Sequence, residues 1–361
     1  MQTIYQDIAA KVSRGERLSR QDGLSLLACD DLTWLGHLAD IACQRVSGNT
    51  VVYSVTRAIN LTNICVAKCN CCTAGCDETS PEAFFLTKEN VLDIARQASR
   101  DAGLRELHIS SGLHPHWGLG YYRDILQSLK EALPQIHLKA FSTAEVYHLV
   151  QITSQPAETV LRTLRQAGLD SLLGDRTELL SDRVRADRCQ RRAVSAQWLD
   201  MIRTAHRLGI PSDAAMLYGH LETPEERVDH LLALRSLQDE TGGFQTFVPV
   251  PFQPHGIQLE HPAEKTSAWE DLKTLAVSRL LLDNFQYIKV EWSLLTLPVG
   301  QLALGFGANY IDGAMLEQRT SHAGSQASQY LGQDTLITVI RQTGRVPAQL
   351  DPVYNVVQKR G

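Results

Sequence analysis

The sequence predicts an α/β fold: a (β/α)8 TIM-type barrel with an N-terminal helical extension and a C-terminal helical tail. Three observations predict it. Short β-branched segments alternate with amphipathic stretches from Thr50 onward. Eight such segments occur before residue 315. The span from about 50 to 315 fits the roughly 250 residues that eight βα units need. A doubly wound sheet is the competing layout, and the count of eight favours the barrel.

Residues 1–49 form the extension. Leu24, Leu26 and Leu27, then Leu32, Leu35, Leu38 and Ala39, recur at helical spacing with acidic residues near each start. The barrel, residues 50–315, takes its strands from 51–55, 106–110, 137–141, 170–173, 212–217, 244–250, 287–292 and 310–314. Helices are expected between them, for example over 122–131, 157–167, 196–208, 225–238 and 269–283. Residues 316–361 form a tail that is polar at first and helical at 335–343. It ends in a Pro-bearing, aromatic-apolar stretch around Tyr354.

Composition excludes several classes. The 361 residues are 43% apolar and 21% charged, enough for a large core and too apolar for extensive disorder. Lys plus Arg is 35 against 40 for Asp plus Glu, a net charge of −5. That leaves no basic surplus to neutralise a phosphate backbone, so nucleic acid is not an expected partner. No apolar run approaches the ~18 residues that span a bilayer. The first residues carry no basic-then-apolar leader, so a cytoplasmic enzyme without a membrane partner is expected.

Five of the eight cysteines, Cys65, Cys69, Cys71, Cys72 and Cys76, fall within twelve residues after the first strand, on the rim where barrel enzymes work. Cys29, Cys43 and Cys189 are isolated and read as small core hydrophobes. Cys65, Cys69 and Cys72 have a C-x3-C-x2-C spacing. Three thiolates on one short loop suit three corners of a [4Fe–4S] cubane, leaving the fourth iron open to a ligand. A closed structural zinc site would need a second cysteine pair, which is absent, although Cys76 is available as a fourth thiolate.

That spacing after a first barrel strand resembles the radical S-adenosylmethionine (SAM) enzymes, and the resemblance continues along the chain. The stretches 60–65 (NLTNIC), 107–115 (LHISSGLHP), 137–141 (HLKAF), 216–227 (MLYGHLETPEER) and 237–244 (LQDETGGF) look like the aminofutalosine synthase family of menaquinone biosynthesis. Some of these stretches are shared with futalosine cyclases and deazaflavin-precursor synthases; 137–141 points more narrowly.

The resemblance implies that Cys65, Cys69 and Cys72 ligate the cluster, and that SAM is cleaved to a 5′-deoxyadenosyl radical. That radical would add to the enol-ether olefin of 3-[(1-carboxyvinyl)oxy]benzoate. Rearrangement and decarboxylation then give 6-amino-6-deoxyfutalosine, with SAM consumed as a co-substrate. A flavodoxin- or ferredoxin-type electron donor is the implied partner beside the small-molecule substrate. Ser110, Ser111 and Gly112 match the segment that meets the methionyl amine, where small residues permit close approach; a plain strand-ending turn is the other reading. Glu145 and Glu178 follow strands three and four and are candidates for SAM's ammonium or ribose, or else ordinary helix-start acids. Gly219 is placed for the adenine site.

The acceptor carries two carboxylates, so cations should face the pocket: Lys139 on strand three, with Arg176 and His114 at neighbouring strand ends. Departures from the family pattern are Cys71 in place of the usual aromatic, and Asp175 and Arg176 where glycines are usual. Asp213 stands in place of Asn. These leave open a paralogue acting on a different olefin or a cyclase-like substrate. A reading from another class takes His114 and His116, with His206 and Asp312, as a zinc hydrolase site.

Overall fold

The computed structural model describes residues 2–72, 74–100, 104–189, 193–254, 264–313 and 331–359. Its strands are β1 (Thr50–Ser54), β2 (Thr56–Asn60), β3 (Glu106–Ser110), β4 (His137–Ala140) and β5 (Ser212–Tyr218). They continue with β6 (Phe244–Pro251), β7 (Tyr287–Val290), β8 (Tyr310–Asp312), β9 (Val346–Leu350) and β10 (Val356–Lys359).

The sequence expects one strand near 51–55. The chain instead runs extended to Asn60 and breaks at Val55, so that one stave serves two neighbours. β1 pairs in parallel with β8, and β2 pairs in parallel with β3. From β3 the ladder passes to β4. Ser171 then bridges Lys139, and Leu172 bridges Ser212 of β5. β5, β6, β7 and β8 follow in parallel. Eight parallel staves close a barrel of the TIM type, the fourth reduced to two bridging residues. Its shortness has a local cause. The Asp170 carboxylate accepts the Leu138 N–H at 2.8 Å, and a side chain takes the ladder's place there.

Among the described residues, the expected helical tail is helical over Gln333–Gln342. Gly344 turns the chain, and β9 pairs in parallel with the edge of β1 that β3 leaves open at the barrel floor, with β10 antiparallel beside it. The bend between β9 and β10 sends Tyr354 into the staves. Its hydroxyl accepts from Lys139 Nζ at 2.8 Å, and its φ of 66° is a strained value for an aromatic residue.

Period-two alternation sorts the staves' two faces. On β3, Leu107 and Ile109 are fully buried in the core, which lies between the staves and the outer helices. Glu106, His108 and Ser110 alternate onto the inner face. The helix Leu32–Ser47 of the extension packs on Ala268–Leu281. No helix among the described residues is long and apolar enough to cross a membrane.

Candidate active site

At the top of the barrel a cavity of about 240 Å³ is lined by Cys65, Cys69 and Cys72 on one side and by Ser110, Ser111 and Gly112 on the other. The cysteine loop is pinned by its main chain. Cys65 N–H donates to Cys76 O at 3.0 Å, Val66 N–H to Leu113 O at 2.9 Å, and Asn70 N–H to Arg188 O at 2.8 Å. Asn70 Nδ2 adds a bond to Asp187 O at 3.1 Å, and Cys189 Sγ one to Ala67 O at 3.2 Å. Gly112 donates its N–H to Thr62 O at 2.8 Å. A Cβ there would stand 2.4 Å from the Ile64 carbonyl oxygen, so only glycine lets the end of β3 lie against the base of the cysteine loop.

Glu145 supplies one of the cavity's two carboxylates. It is the third residue of a helix capped by Ser142, and the capping box folds its side chain back over the helix start. One oxygen accepts from Ser142 N–H at 2.7 Å and Ser142 Oγ at 2.8 Å, the other from Ser111 N–H at 2.8 Å. Burial and the Asp175 carboxylate nevertheless push its pKa up to about 7, outweighing those donors. Burial likewise pushes the Cys65 thiol up, against the backbone donors that lower it.

Asp175 and Thr177 also line the cavity, and sequence reasoning did not select them as binding residues. Asp175 Oδ1 accepts from Thr177 N–H at 3.0 Å and Thr177 Oγ1 at 2.7 Å, a turn that closes the loop after the fourth stave. The position just past a stave was the signal available.

The other selected residues go elsewhere. Glu178 is buried in an ion pair with Arg185, and its main-chain oxygen accepts the Leu217 N–H at 2.7 Å, so it does not reach the cavity. Gly219 has φ +82°, and its N–H is bonded to the Glu222 carboxylate; it turns the chain outside the cavity lining. His114 stacks on Trp117 with ring centroids 4.2 Å apart, and burial lowers its pKa. Arg176 stands half exposed, 3.4 Å from Glu291 and outside the cavity lining.

Lys139 is fully buried inside the staves, 3.0 Å from both Asp213 oxygens and bonded to Tyr354. A lysine on the inner face is there as expected, but its charge is met by Asp213 rather than left for a ligand. Cys71 packs against an apolar patch that includes Leu217, Val250 and Phe252, and Cys76 serves the loop through its main chain; neither lines the cavity.

The zinc reading finds no set of ligands. Among the described residues no group of three His, Cys, Asp or Glu converges on a single ion. His206 is bonded to Thr241 and Ser212, and Asp312 pairs with Lys289. A cubane makes a different demand, spreading its three thiolates over three irons. Three cysteines outside any disulfide, around one cavity, fit that demand.

A barrel with three thiols on the loop after its first stave is the construction of a radical SAM enzyme, whose chemistry uses a [4Fe–4S] cluster and SAM. Residues 59–234 match the Radical SAM superfamily and residues 241–359 the CofH/MqnC C-terminal region. The chain belongs to the radical SAM family that includes the aminodeoxyfutalosine synthases. It is 39% identical to the aminodeoxyfutalosine synthase of Thermus thermophilus over 97% of this chain and 95% of that one. It is 37% identical to that of Streptomyces coelicolor, over 99% and 95%. The 5-amino-6-(D-ribitylamino)uracil–L-tyrosine 4-hydroxyphenyl transferase of Methanothermobacter thermautotrophicus is 35% identical over 95% of each chain. Among solved structures, the FeFe-hydrogenase maturase HydG from Carboxydothermus hydrogenoformans superposes with a TM-score of 0.77 at 16% identity, over 97% of this chain and 80% of that one. Methylornithine synthase (PylB) gives 0.71 at 18%, over 93% and 95%. These two share the fold.

Proposed function

We propose that the chain adds the 5′-deoxyadenosyl group of SAM to the olefin of 3-[(1-carboxyvinyl)oxy]benzoate, forming 6-amino-6-deoxyfutalosine with loss of carbon dioxide on the futalosine route to menaquinone. The observation that carries this reading is a cavity that brings together Cys65, Cys69 and Cys72, the buried Glu145 carboxylate and a small-residue strand end. The near full-length similarity to two aminodeoxyfutalosine synthases supports the choice of acceptor over that of the archaeal transferases.

In this reading Cys65, Cys69 and Cys72 hold the cluster. When bound, the cluster supplies the electron that divides SAM into methionine and a 5′-deoxyadenosyl radical. Glu145 takes the methionyl ammonium, with Ser111 held beside it by the same carboxylate. Gly112 keeps that strand end against the cysteine loop. The staves below must hold the olefin at the radical carbon and keep water and stray hydrogen donors away, so positioning dominates over acid–base work. Arg176, between the cavity-lining Asp175 and Thr177, suits the benzoate carboxylate. A flavodoxin- or ferredoxin-type donor would approach at the exposed Cys72.

The test is mass spectrometry of one anaerobic reaction of iron-loaded protein with SAM, dithionite and the acceptor. A decarboxylated adenosyl adduct is expected. Free 5′-deoxyadenosine without adduct would overturn the acceptor and keep the SAM cleavage. Replacing Cys65, Cys69 or Cys72 with Ala should abolish both products. Cys71→Ser and Cys76→Ser should leave iron content unchanged.

A further inference from the structure

The cysteine loop is met end-on by the helix Asp182–Arg188. The last carbonyls of a helix have no partner within it. Here Asp187 O accepts from Asn70 Nδ2 at 3.1 Å, and Arg188 O from Asn70 N–H at 2.8 Å. Asn70 lies between Cys69 and Cys72, so that part of the loop follows the helix end.

The helix end is in turn tied down by the Arg188 side chain, which is only 3% exposed. Its Nε donates to His220 Nδ1 at 3.1 Å and its Nη2 to Glu222 Oε2 at 3.3 Å. Burial and the Arg188 charge lower the His220 pKa to about 4, so the ring is neutral at neutral pH and Nδ1 accepts. Glu222 belongs to the turn after β5. Its carboxylate also accepts from the Gly219 and His220 N–H groups and from Arg227 Nε at 2.9 Å. The guanidinium thus joins the cysteine loop to the end of β5.

Little else holds the loop at that point. A second cavity, of about 560 Å³, borders it at Val66, Lys68 and Asn70. Its apolar contact with the β5–β6 wall is Cys71, a small side chain set against Leu217, Val250 and Phe252.

We propose that Arg188 is a positioning residue, which fixes the Cys69–Cys72 part of the loop over the barrel and so places the radical carbon at the olefin. This rests on the cluster assignment and the acceptor proposed above. Cleavage of SAM needs only the loop and what it carries. Addition to the olefin also needs the loop in the right place over the staves, where a misplacement of about 1 Å can cost roughly 100-fold in rate. Losing the guanidinium leaves Glu222 paired with Arg227, so the barrel survives while the two steps uncouple.

The experiment compares the wild type with Arg188→Met and Arg188→Lys, all iron-loaded and anaerobic. Met keeps an apolar stem without the charge; Lys keeps the charge without the planar fork. Hydrogen exchange of peptides spanning 65–76 should run about 10- to 100-fold faster in Arg188→Met, the range of one lost charge-assisted hydrogen bond. Exchange in the barrel strands should not change. The ratio of free 5′-deoxyadenosine to adduct should rise about tenfold or more. That ratio does not depend on how much protein is folded or loaded, so a general loss of structure would not move it. Arg188→Lys should fall between on both measures. A loop no looser than in the wild type overturns the inference. Faster exchange throughout the barrel overturns it too, as does an unmoved ratio in a protein whose loop has loosened. If the wild type forms no adduct, the proposed acceptor falls, and loop exchange alone then decides whether Arg188 holds the loop.

Discussion

The two ends of the barrel are built on opposite principles. At the top, backbone and small side chains surround Cys65, Cys69 and Cys72 and the Glu145 and Asp175 carboxylates, which line a cavity. At the floor the interior charges are matched pairwise and capped by the C-terminal hairpin: Lys139 with Asp213 and Tyr354, and Lys289 with Asp312. The floor spends its charges on holding the staves together, and the top keeps its donors for ligands. A buried ion pair is tolerable only when both members are present, because one member alone is an unpaired charge in a low dielectric. A cavity rim carries no such constraint, so it can evolve toward binding without unfolding the barrel.

The largest expected effect breaks the floor. Lys139→Met leaves Asp213 buried and unpaired, and should cost about 3–5 kcal/mol of stability. Lys139→Met combined with Asp213→Leu should recover most of that loss, as replacing a whole buried pair by apolar groups often does. Urea unfolding of the three proteins checks this. A Lys139 variant that keeps its stability but weakens the acceptor's KM would move Lys139 from the floor's scaffold to the ligand, as the sequence alone expects.

A middle-sized effect separates shape from charge at the top. Gly112→Ala forces a Cβ against the Ile64 carbonyl. Overpacking of this kind should cost about 1–3 kcal/mol, and here it also displaces the residue preceding Cys65. Thermal unfolding with and without SAM should show a lowered transition and a reduced SAM-induced rise. A full rise would mean that the close approach matters for folding only.

The smallest effect is a titration. Glu145 is raised to about 7, from a usual 4.5, first by burial and then by Asp175. Its ionised fraction therefore climbs from about a tenth at pH 6 to about nine tenths at pH 8. If the carboxylate binds the SAM ammonium, affinity for SAM should strengthen about tenfold over that range, and Glu145→Gln should be flat. Folding shows the opposite sign. A carboxyl raised in the folded state binds more protons there than in the unfolded chain, so this group's contribution to stability falls as pH rises from about 4.5 through 7. Calorimetry of SAM binding and of unfolding across the same buffers separates the two slopes.

Some of this was legible in the residues. The helix start at Glu145, the face that Lys139 takes on its strand and the short spacing of Cys65, Cys69 and Cys72 are local. Each is set by backbone geometry over a few positions. The cation expected at Lys139 was on the correct face for the same reason. What it pairs with was not legible. Asp213 is 74 residues away and Tyr354 is 215 away, and no periodicity reports on partners at that separation. Glu178 shows the same limit from the other side. Its place after the fourth stave suited a ligand, but Arg185, seven residues on, folds back to pair with it.

By itself the sequence determined the order of staves and helices, the loop that carries the thiols and the glycine that lies against it, because hydrophobic period, spacing and the lack of a Cβ act locally. The tertiary structure decided that the stave broken at Val55 would serve two neighbours and that the tail would become a hairpin under the barrel. It also decided which of the interior charges would be neutralised and which left to face a ligand. The physical reason is that a buried charge must find its opposite wherever the closed barrel brings one within a few ångströms. Closure, not sequence distance, sets that choice.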